Sequence, residues 1–400
     1  MLTSLALLFL AGLLFAALAQ KLHLPRLIGM LFTGVLLGPY VLDLFDGSIL
    51  AISGDLRKMA LVIILIKAGL SLRLEDLKKV GRPALLLAFL PATFELAAVV
   101  VLAPALLGLT RSEAALAGAV LAAVSPAVVV PRMVHLMETG YGTDKRIPQM
   151  ILAGASLDDV YVIVLFSTFL GMAQGQAADL LAFVGIPVSI LLGIALGAAV
   201  GAFWAWLFET AFARDRLIRN STKVLLLLAT AFLLLAAETA LTDIVPLSGL
   251  LAIMSMALVL ARKSTPAVTR RLQEKYGKLW IAAELMLFVL VGAAVDIRYL
   301  LQAGLSAVLL IGAGLCFRSL AVWLCLLGTP LQRRERLFCV IAYLPKATVQ
   351  AAIGSIPLSL GLPCGNLILS LAVLAIVITA PLGAFGMDLS YRKLLTGQPR

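Results

Sequence analysis

Long apolar segments alternate with short polar connections along the whole chain. Asp46–Asp55, Arg214–Arg219 and Arg262–Lys275 are such connections, and thirteen apolar segments of helix length lie around and between them. Within lipid, backbone N–H and C=O groups have no water to bond and must bond each other. Apolar segments of this length are therefore expected to cross a membrane as helices. The predicted spans are 3–19, 27–44, 56–72, 83–108, 113–136, 148–173, 179–208, 222–241, 247–262, 278–295, 299–328, 335–358 and 365–387.

The composition supports a polytopic membrane protein that is all-α. The 400 residues are 62% hydrophobic and 13% charged, and the mean hydropathy is +1.08. A soluble domain is about half apolar and about a quarter charged. The four cysteines lie in apolar segments without metal-binding spacing, and the sequence predicts no cofactor.

The basic residues collect on one side of the predicted membrane. When a residue near the end of a span is counted with the side that it adjoins, 25 of the 32 Lys and Arg residues fall on one side, 4 fall on the other, and 3 lie deep within spans. Because cytoplasmic loops carry the excess of positive charge, we expect the N-terminus to lie outside and the C-terminus to lie in the cytoplasm. The expected location of the protein is the cell inner membrane. The net charge of +11 then reflects membrane topology rather than binding of nucleic acid.

Weak similarities between the two halves predict an internal repeat. Span 5 carries Ser125 and Pro126 at mid-depth, and span 12 carries Pro345 and Lys346. Similar pairs occur in spans 2 and 9 and in spans 3 and 10, always seven spans apart. An odd offset gives the repeats opposite topology, and inverted repeats with broken helices are typical of transporters. The predicted parts are a first repeat over 1–178, a linking span and cytoplasmic loop over 179–221, and a second repeat over 222–400.

Two adjacent carboxylates, Asp158 and Asp159, lie in the middle of span 6. Charges at this depth are costly and usually functional. The two side chains are about 100° apart around a helix, so one can line a cavity while the other meets a partner. Burial favours a neutral carboxylate and a nearby cation favours a charged one, so such an Asp can titrate near neutral pH. The alternative interpretation is a permanent salt bridge between two helices.

Glu95 and Arg318 occupy equivalent spans of the two predicted repeats, each deep within apolar sequence. Each charge is expensive unless it is paired, so we expect a buried ion pair between them. Packing and orientation are the favoured role of this pair, and direct participation in transport is the alternative. Lys67, Glu238 and Glu284 also lie within spans, and they fit pairing or snorkelling roles.

Lys346 follows the helix-breaking Pro345, and the sequence predicts that it supports an ion site. It can balance the dipoles of broken helices or pair with Asp158. Thr348 and Gln350 can bond the backbone groups that the break releases. Hydroxyl oxygens suit a small hard cation, and three lie in the same segments, although a helix hydroxyl more often bonds its own backbone. They belong to Ser125, Ser156 and Thr348.

These segments resemble sodium/proton antiporters of the monovalent cation:proton antiporter superfamily. The similarity is closest to the branch with two adjacent aspartates and, within it, to the NHA-type exchangers. It rests on Gly29–Tyr40, Ser125–Pro131, Gly154–Val160 and Leu344–Gly354.

The resemblance implies an NhaA-like fold and a homodimer that exchanges Na+ or Li+ for H+. Spans 3–6 and 10–13 would form a core that moves like an elevator, and the remainder would form the dimerisation domain. Asp159 would be the main site shared by cation and proton, with Asp158 beside it. Many bacterial members have lysine where this chain has Arg318, and arginine does not release a proton in proteins.

Three other functions compete with antiport. A sodium-coupled symporter for an organic anion shares broken, crossed helices, but it would be expected to have more basic groups for its solute. A cation channel would conduct without the saturation of a carrier. An intramembrane aspartyl protease is not an expected function, because its two aspartates must come from different helices. The sequence therefore predicts a transporter and not an enzyme.

Overall fold

A computed structural model of the chain describes residues 1–71, 81–176, 180–213, 218–241 and 247–397. These residues form helices and no strand, apart from an isolated bridge between Tyr141 and Gly397. The helices are α1 (Leu2–Lys21), α2 (Arg26–Leu37), α3 (Gly47–Ala51), α4 (Ser53–Ser71), α5 (Arg82–Leu107), α6 (Arg111–Ala122), α7 (Pro126–Thr139), α8 (Ile147–Gly171), α9 (Leu180–Ala213), α10 (Asn220–Ala240), α11 (Gly249–Lys263), α12 (Pro266–Ala293), α13 (Ile297–Cys325), α14 (Arg333–Ala342), α15 (Thr348–Gly354), α16 (Ile356–Ser359) and α17 (Gly365–Leu394).

Among the described residues, eight helices are long and apolar enough to cross a membrane. The protein is therefore a multi-pass membrane protein. Each of the thirteen predicted spans contains helix, but spans 5 and 12 are each broken into shorter helices. The count of thirteen crossings stays a prediction.

The prediction of a polar connection over Arg262–Lys275 was wrong from Pro266 onward. Helix α12 begins at Pro266, where a proline has the backbone angle of a first helical residue and loses no hydrogen bond. Leu272 and Tyr276 are fully buried, so this stretch has an apolar face of its own. On the exposed face, Arg270 pairs with Glu274 one turn later at 3.2 Å.

The chain divides into two compact units, and the first contains both broken spans. It consists of the described residues of Met1–Gly54, Arg73–Ala173 and Phe288–Arg400. Within it, α13 packs along α5, and α5 also packs along α8, which carries the two aspartates. The short helices α14 and α15 pack against α17. Residues far apart in sequence therefore meet in the interior of this unit.

The second unit consists of the described residues of Asp55–Leu72 and Gln174–Leu287, and its main contact joins α9 to α11. Gly193, Gly197 and Gly201 follow one another at intervals of one turn along α9; Gly193 faces Ser248, just before α11, and the other two face the backbone of α11. A Cβ atom on Gly197 would lie 2.1 Å from the carbonyl oxygen of Ala252. Small residues at this spacing let two helix backbones approach closely in lipid.

Candidate functional site

The two helix breaks of the first unit contact each other. The first break, residues 123–125, separates α6 from α7, and the second, residues 343–347, separates α14 from α15. The backbone N–H of Ser125 donates to the carbonyl of Pro345 at 2.8 Å, so the breaks touch directly. Two helices end and two begin at this place, which brings unpaired carbonyls and N–H groups together in the protein interior.

Gln350 and Thr379 bond backbone groups that the breaks leave free. The amide nitrogen of Gln350 donates to the carbonyl of Ala123 at 2.7 Å, and its amide oxygen accepts from the N–H of Ala347 at 2.8 Å. The hydroxyl of Thr379 accepts from the N–H of Lys346 at 2.9 Å. Buried backbone groups are costly when they are left unbonded, so these side chains stabilise the broken conformation.

Arg318 is fully buried, and it contacts both helix breaks as well as Glu95 and Asp158. Its Nε donates to the carbonyl of Tyr343 at 2.7 Å, and its Nη1 donates to the carbonyl of Ala122. Nη1 also lies 2.9 Å from Glu95 Oε2, and Nη2 lies 3.4 Å from Asp158 Oδ2. A guanidinium carries five N–H groups in a fixed plane, which suits a residue with several acceptors.

Lys346 is also fully buried, and it contacts Glu95 rather than Asp158. Its Nζ lies 2.7 Å from Glu95 Oε1 and 2.8 Å from Oε2, and it donates to the carbonyl of Leu121 at the end of α6. A cation is favoured at the negative end of a helix dipole, and Glu95 is held beside that end. The structure thus places Glu95 between Arg318 and Lys346. Glu95 therefore contacts two cations, whereas the sequence predicts only Arg318 as its partner.

Asp158 and Asp159 lie at the crossing with different surroundings. Asp158 is 0% exposed, and its Oδ2 accepts from the N–H of Val124 at 2.7 Å in addition to the contact with Arg318. Asp159 is 8% exposed. In the described part of the chain, the buried oxygens here without a hydrogen-bond partner include Asp158 Oδ1, Asp159 Oδ1 and Ser125 Oγ. Unsatisfied buried oxygens of this kind call for a proton or a cation.

The other residues singled out from the sequence lie in varied places. Thr348 is buried at the start of α15, beside the second break. The side chain of Ser156 lies outside the described part of the structure. Lys67 belongs to the second unit, where its Nζ lies 5.6 Å from the ring centroid of Trp280, a cation–π contact.

Sequence reasoning missed Tyr343, whose ring and hydroxyl both belong to the site. The guanidinium of Arg318 lies 5.8 Å from the ring centroid, and the buried hydroxyl has no partner among the described residues. The hydroxyl reaches α8 at Gly154, where an added Cβ would be 2.1 Å away. In the sequence, Gly154 shortly before the aspartates indicates a close approach of this kind. No sequence signal indicates that Thr379 or Val124 belongs to the site.

Comparison with known proteins gives consistent matches over nearly the whole chain. A sequence model described as "Sodium/hydrogen exchanger, transmembrane" matches residues 5–387. Human "Sodium/hydrogen exchanger 9B2" is 33% identical over 383 residues, which cover 93% of this chain and 70% of the relative. Human "Sodium/hydrogen exchanger 9B1" is 31% identical over 388 residues, with 93% and 73% covered.

A solved structure has the same fold. The sodium proton antiporter MjNhaP1 from Methanocaldococcus jannaschii at pH 8 superposes with a TM-score of 0.82 and covers 98% of each chain. The sequence identity is 21%, so this match bears on fold alone.

Proposed function

Because the chain belongs to the sodium/hydrogen exchanger family of monovalent cation:proton antiporters, we propose that it exchanges Na+ or Li+ for H+ across the membrane. The observation that carries the proposal for the site is the pair of buried, unpartnered carboxylate oxygens at Asp158 and Asp159. A hard cation prefers oxygen ligands, and a proton neutralises the same oxygen, so one site suits both substrates. During transport, Na+ (or Li+) and H+ would then occupy this site in turn.

The balance of charge supports Asp159 as the site of the exchanged ion. Arg318 and Lys346 carry two positive charges, and Glu95 and Asp158 carry two negative charges, so these four groups balance one another. Asp159 adds one negative charge for which this cluster has no further cation. Because an uncompensated buried charge is costly, Asp159 favours an occupant, either Na+ or H+. Asp158 holds its position through Val124 and Arg318, and it offers its free Oδ1 to the cation.

Ser125, Ser156 and Thr348 are proposed to complete the oxygen shell of the cation. The free and fully buried hydroxyl of Ser125 supports this role, since Ser125 lies in the break beside Asp158. Arg318, Glu95 and Lys346 are proposed to fix the geometry without exchanging protons. Arginine stays protonated in proteins, so Arg318 is not a second proton carrier.

For the whole protein we propose alternating access of the elevator type in a homodimer. Spans 3–6 and 10–13 would carry the ion site, and the other spans would form the dimerisation domain. The two contacting helix breaks support two inverted repeats, over 1–178 and 222–400, joined by the span and loop of 179–221. The sorting of basic residues supports an external N-terminus and a cytoplasmic C-terminus in the cell inner membrane.

The runner-up, a sodium-coupled symporter for an organic anion, would need cationic groups that are free to hold its solute. Arg318 and Lys346 are instead bonded to Glu95 and to backbone carbonyls. This arrangement favours antiport, because the two buried cations of the site already have acceptors.

Transport in proteoliposomes tests the proposal. The full chain is reconstituted with an internal pH indicator, and Na+, Li+ or K+ is added outside at fixed ionic strength. We expect Na+ or Li+ to drive proton movement in the opposite direction with saturating kinetics. Repeating the assay with the membrane potential clamped shows whether net charge moves. Proton movement that requires an added organic anion, or a flux that never saturates, would contradict antiport.

A further inference from the structure

Tyr343 carries a polar group that the proposed exchange does not use. Its side chain is 0% exposed, and within the described ranges of the chain its hydroxyl has no hydrogen-bond partner. A buried hydroxyl is costly without a hydrogen bond, and buried tyrosines usually make one. Phenylalanine would fill nearly the same space, so packing does not account for the oxygen. The hydroxyl is therefore expected to have a partner in another state of the site.

Contacts at both ends of the side chain fix the place of this hydroxyl. At the backbone end, the carbonyl of Tyr343 accepts from Arg318 Nε at 2.7 Å, and the guanidinium lies 5.8 Å from the ring centroid. At the other end, the hydroxyl reaches α8 at Gly154, where an added Cβ would lie 2.1 Å from the oxygen. The absence of a side chain at Gly154 thus lets the phenol approach the helix that carries the two aspartates.

The point of approach lies one turn before Asp158 on the same face of α8. Residues four apart are neighbours on a helix surface. A helical side chain leans toward the N-terminus and covers the turn before its own Cα, so the carboxylate of Asp158 is expected to lean over Gly154. Tyr343 and Asp158 also interact electrostatically. The phenol hydroxyl and the carboxylate are therefore neighbours.

The two neighbouring groups have complementary capacity for a hydrogen bond. Asp158 Oδ2 accepts from the N–H of Val124 at 2.7 Å and lies 3.4 Å from Arg318 Nη2, whereas Oδ1 has no partner among the residues that the structure describes. A phenol can donate one hydrogen, and a carboxylate oxygen can accept it. In the proposed exchange, Oδ1 is also the atom that Asp158 offers to the cation. The hydroxyl and the cation therefore have the same oxygen as a partner.

We infer that Tyr343 is a positioning residue whose hydroxyl donates to Asp158 Oδ1 when no cation is bound there, so that the hydroxyl and the cation compete for this oxygen. The inference rests on the proposed exchange and adds to it a residue that sets the affinity for the cation. A hydrogen bond to a carboxylate stabilises the cation-free site, and it has to break before Oδ1 binds Na+. Tyr343 keeps its proton throughout, and its hydroxyl favours the release of Na+.

Tyr343→Phe tests the inference, because it removes the hydroxyl and keeps the ring. Initial rates of Na+-driven exchange in proteoliposomes, measured at one pH, give the KM for Na+ and the maximal rate. Thermal unfolding in detergent, with and without saturating Na+, gives a second measurement that needs no transport. The matched control is Tyr161→Phe, which removes a hydroxyl from α8 that contacts Thr93 at 2.8 Å.

We expect Tyr343→Phe to lower the KM for Na+ about tenfold while the maximal rate changes less, since Na+ no longer has to displace a hydrogen bond to a charged group. Na+ is expected to raise the melting temperature of this variant more than that of the wild type, because the hydroxyl stabilises only the cation-free site. The control is expected to keep the wild-type KM and the wild-type response to Na+.

Each other result has a defined meaning. A higher KM for Tyr343→Phe would show that the hydroxyl binds the cation, and an unchanged KM would show that it only packs; either result overturns the inference and leaves the proposed exchange intact. A variant that is folded only in the presence of Na+ supports the inference, whereas one that is unfolded in both buffers overturns it. Absence of Na+-driven exchange by the wild type contradicts the proposed exchange itself and removes the inference with it.

Discussion

At the scale of single residues, the site contains one carboxylate that differs from its neighbours. Glu95 and Asp158 both contact buried cations, whereas Asp159 has an Oδ1 without a partner among the described residues. The proposed exchange therefore makes distinct demands on three acidic residues. In this proposal, Asp159 binds the exchanged ion, Asp158 supports it, and Glu95 holds the cations in place.

Replacing Asp159 with Asn is expected to abolish exchange while the protein stays folded. A neutral amide of nearly the same shape can neither take up a proton nor balance a bound Na+. Asp158→Asn is expected to reduce exchange strongly but not completely, because Val124 and Arg318 lose a charged acceptor. Sodium-driven proton flux in proteoliposomes measures both effects, and Asp55→Asn, a change at an exposed aspartate, is the control. Wild-type flux from the Asp159→Asn protein would exclude this assignment.

Glu95 and Arg318 are expected to be coupled in stability. Removing one charge takes one of two ion-pair partners from the other, at a cost of up to about 3–5 kcal/mol, whereas removing both spares part of that cost. Thermal unfolding in detergent of the wild type, Glu95→Gln, Arg318→Gln and the double variant measures the coupling. We expect the double variant to lose less stability than the two single variants together. Additive losses would show that the 2.9 Å contact contributes no coupling.

At the scale of helices, the sequence located the breaks but not their partners. Pro126 and Pro345 marked broken helices because proline removes a helix hydrogen bond wherever it occurs. Lys346 was recognised as a buried charge, but its contact with Glu95 spans 251 positions of sequence. That contact depends on how α5 and α6 pack against the second break, which no local pattern specifies. The bonding of carbonyls by Arg318 was hidden for the same reason, since backbone groups are alike in every sequence.

Helix α12 illustrates the opposite failure, in which local composition was misleading. Its first turns are rich in charge, which favours a polar connection, yet they have buried Leu272 and Tyr276 on one face. A search by mean hydropathy overlooks such an amphipathic extension, whereas the helical spacing of apolar residues would have found it.

The glycine stripe of α9 gives a prediction at this scale. Gly197→Val is expected to lower the thermal stability of the protein, because a Cβ at this position would lie 2.1 Å from a backbone oxygen of α11 and the helices would have to separate. Gly277→Ala is the control within the same compact unit, since a Cβ there meets no atom within 4 Å. Alanine also has the higher helix propensity, so the control is expected to match or exceed the wild type. Equal melting temperatures for the two variants would refute the close packing.

At the scale of the whole molecule, residues from both halves of the chain build a single buried site. Asp158 and Glu95 come from the first predicted repeat, and Arg318 and Lys346 come from the second. In the proposed elevator movement these residues would therefore move together and carry Asp159 with its bound ion across the membrane. A buried site within one moving core suits alternating access, because the bound ion changes the balance of charge within that core.

Competition at Asp159 predicts how transport by the whole protein depends on pH. If Na+ and H+ exclude each other from one carboxylate, lowering the pH fills the site with protons that Na+ must displace. The apparent KM for Na+ then rises as pH falls and approaches about a tenfold increase per pH unit, while the maximal rate stays nearly constant. Initial rates of Na+-driven exchange, measured over a series of Na+ concentrations at each pH, give both quantities. Lys346→Gln probes the surrounding charges: losing a cation that pairs with Glu95 makes the cluster more negative, so protons compete more strongly and the rise in KM begins at higher pH. A KM that stays flat while the maximal rate falls would instead place the proton and the cation on different groups.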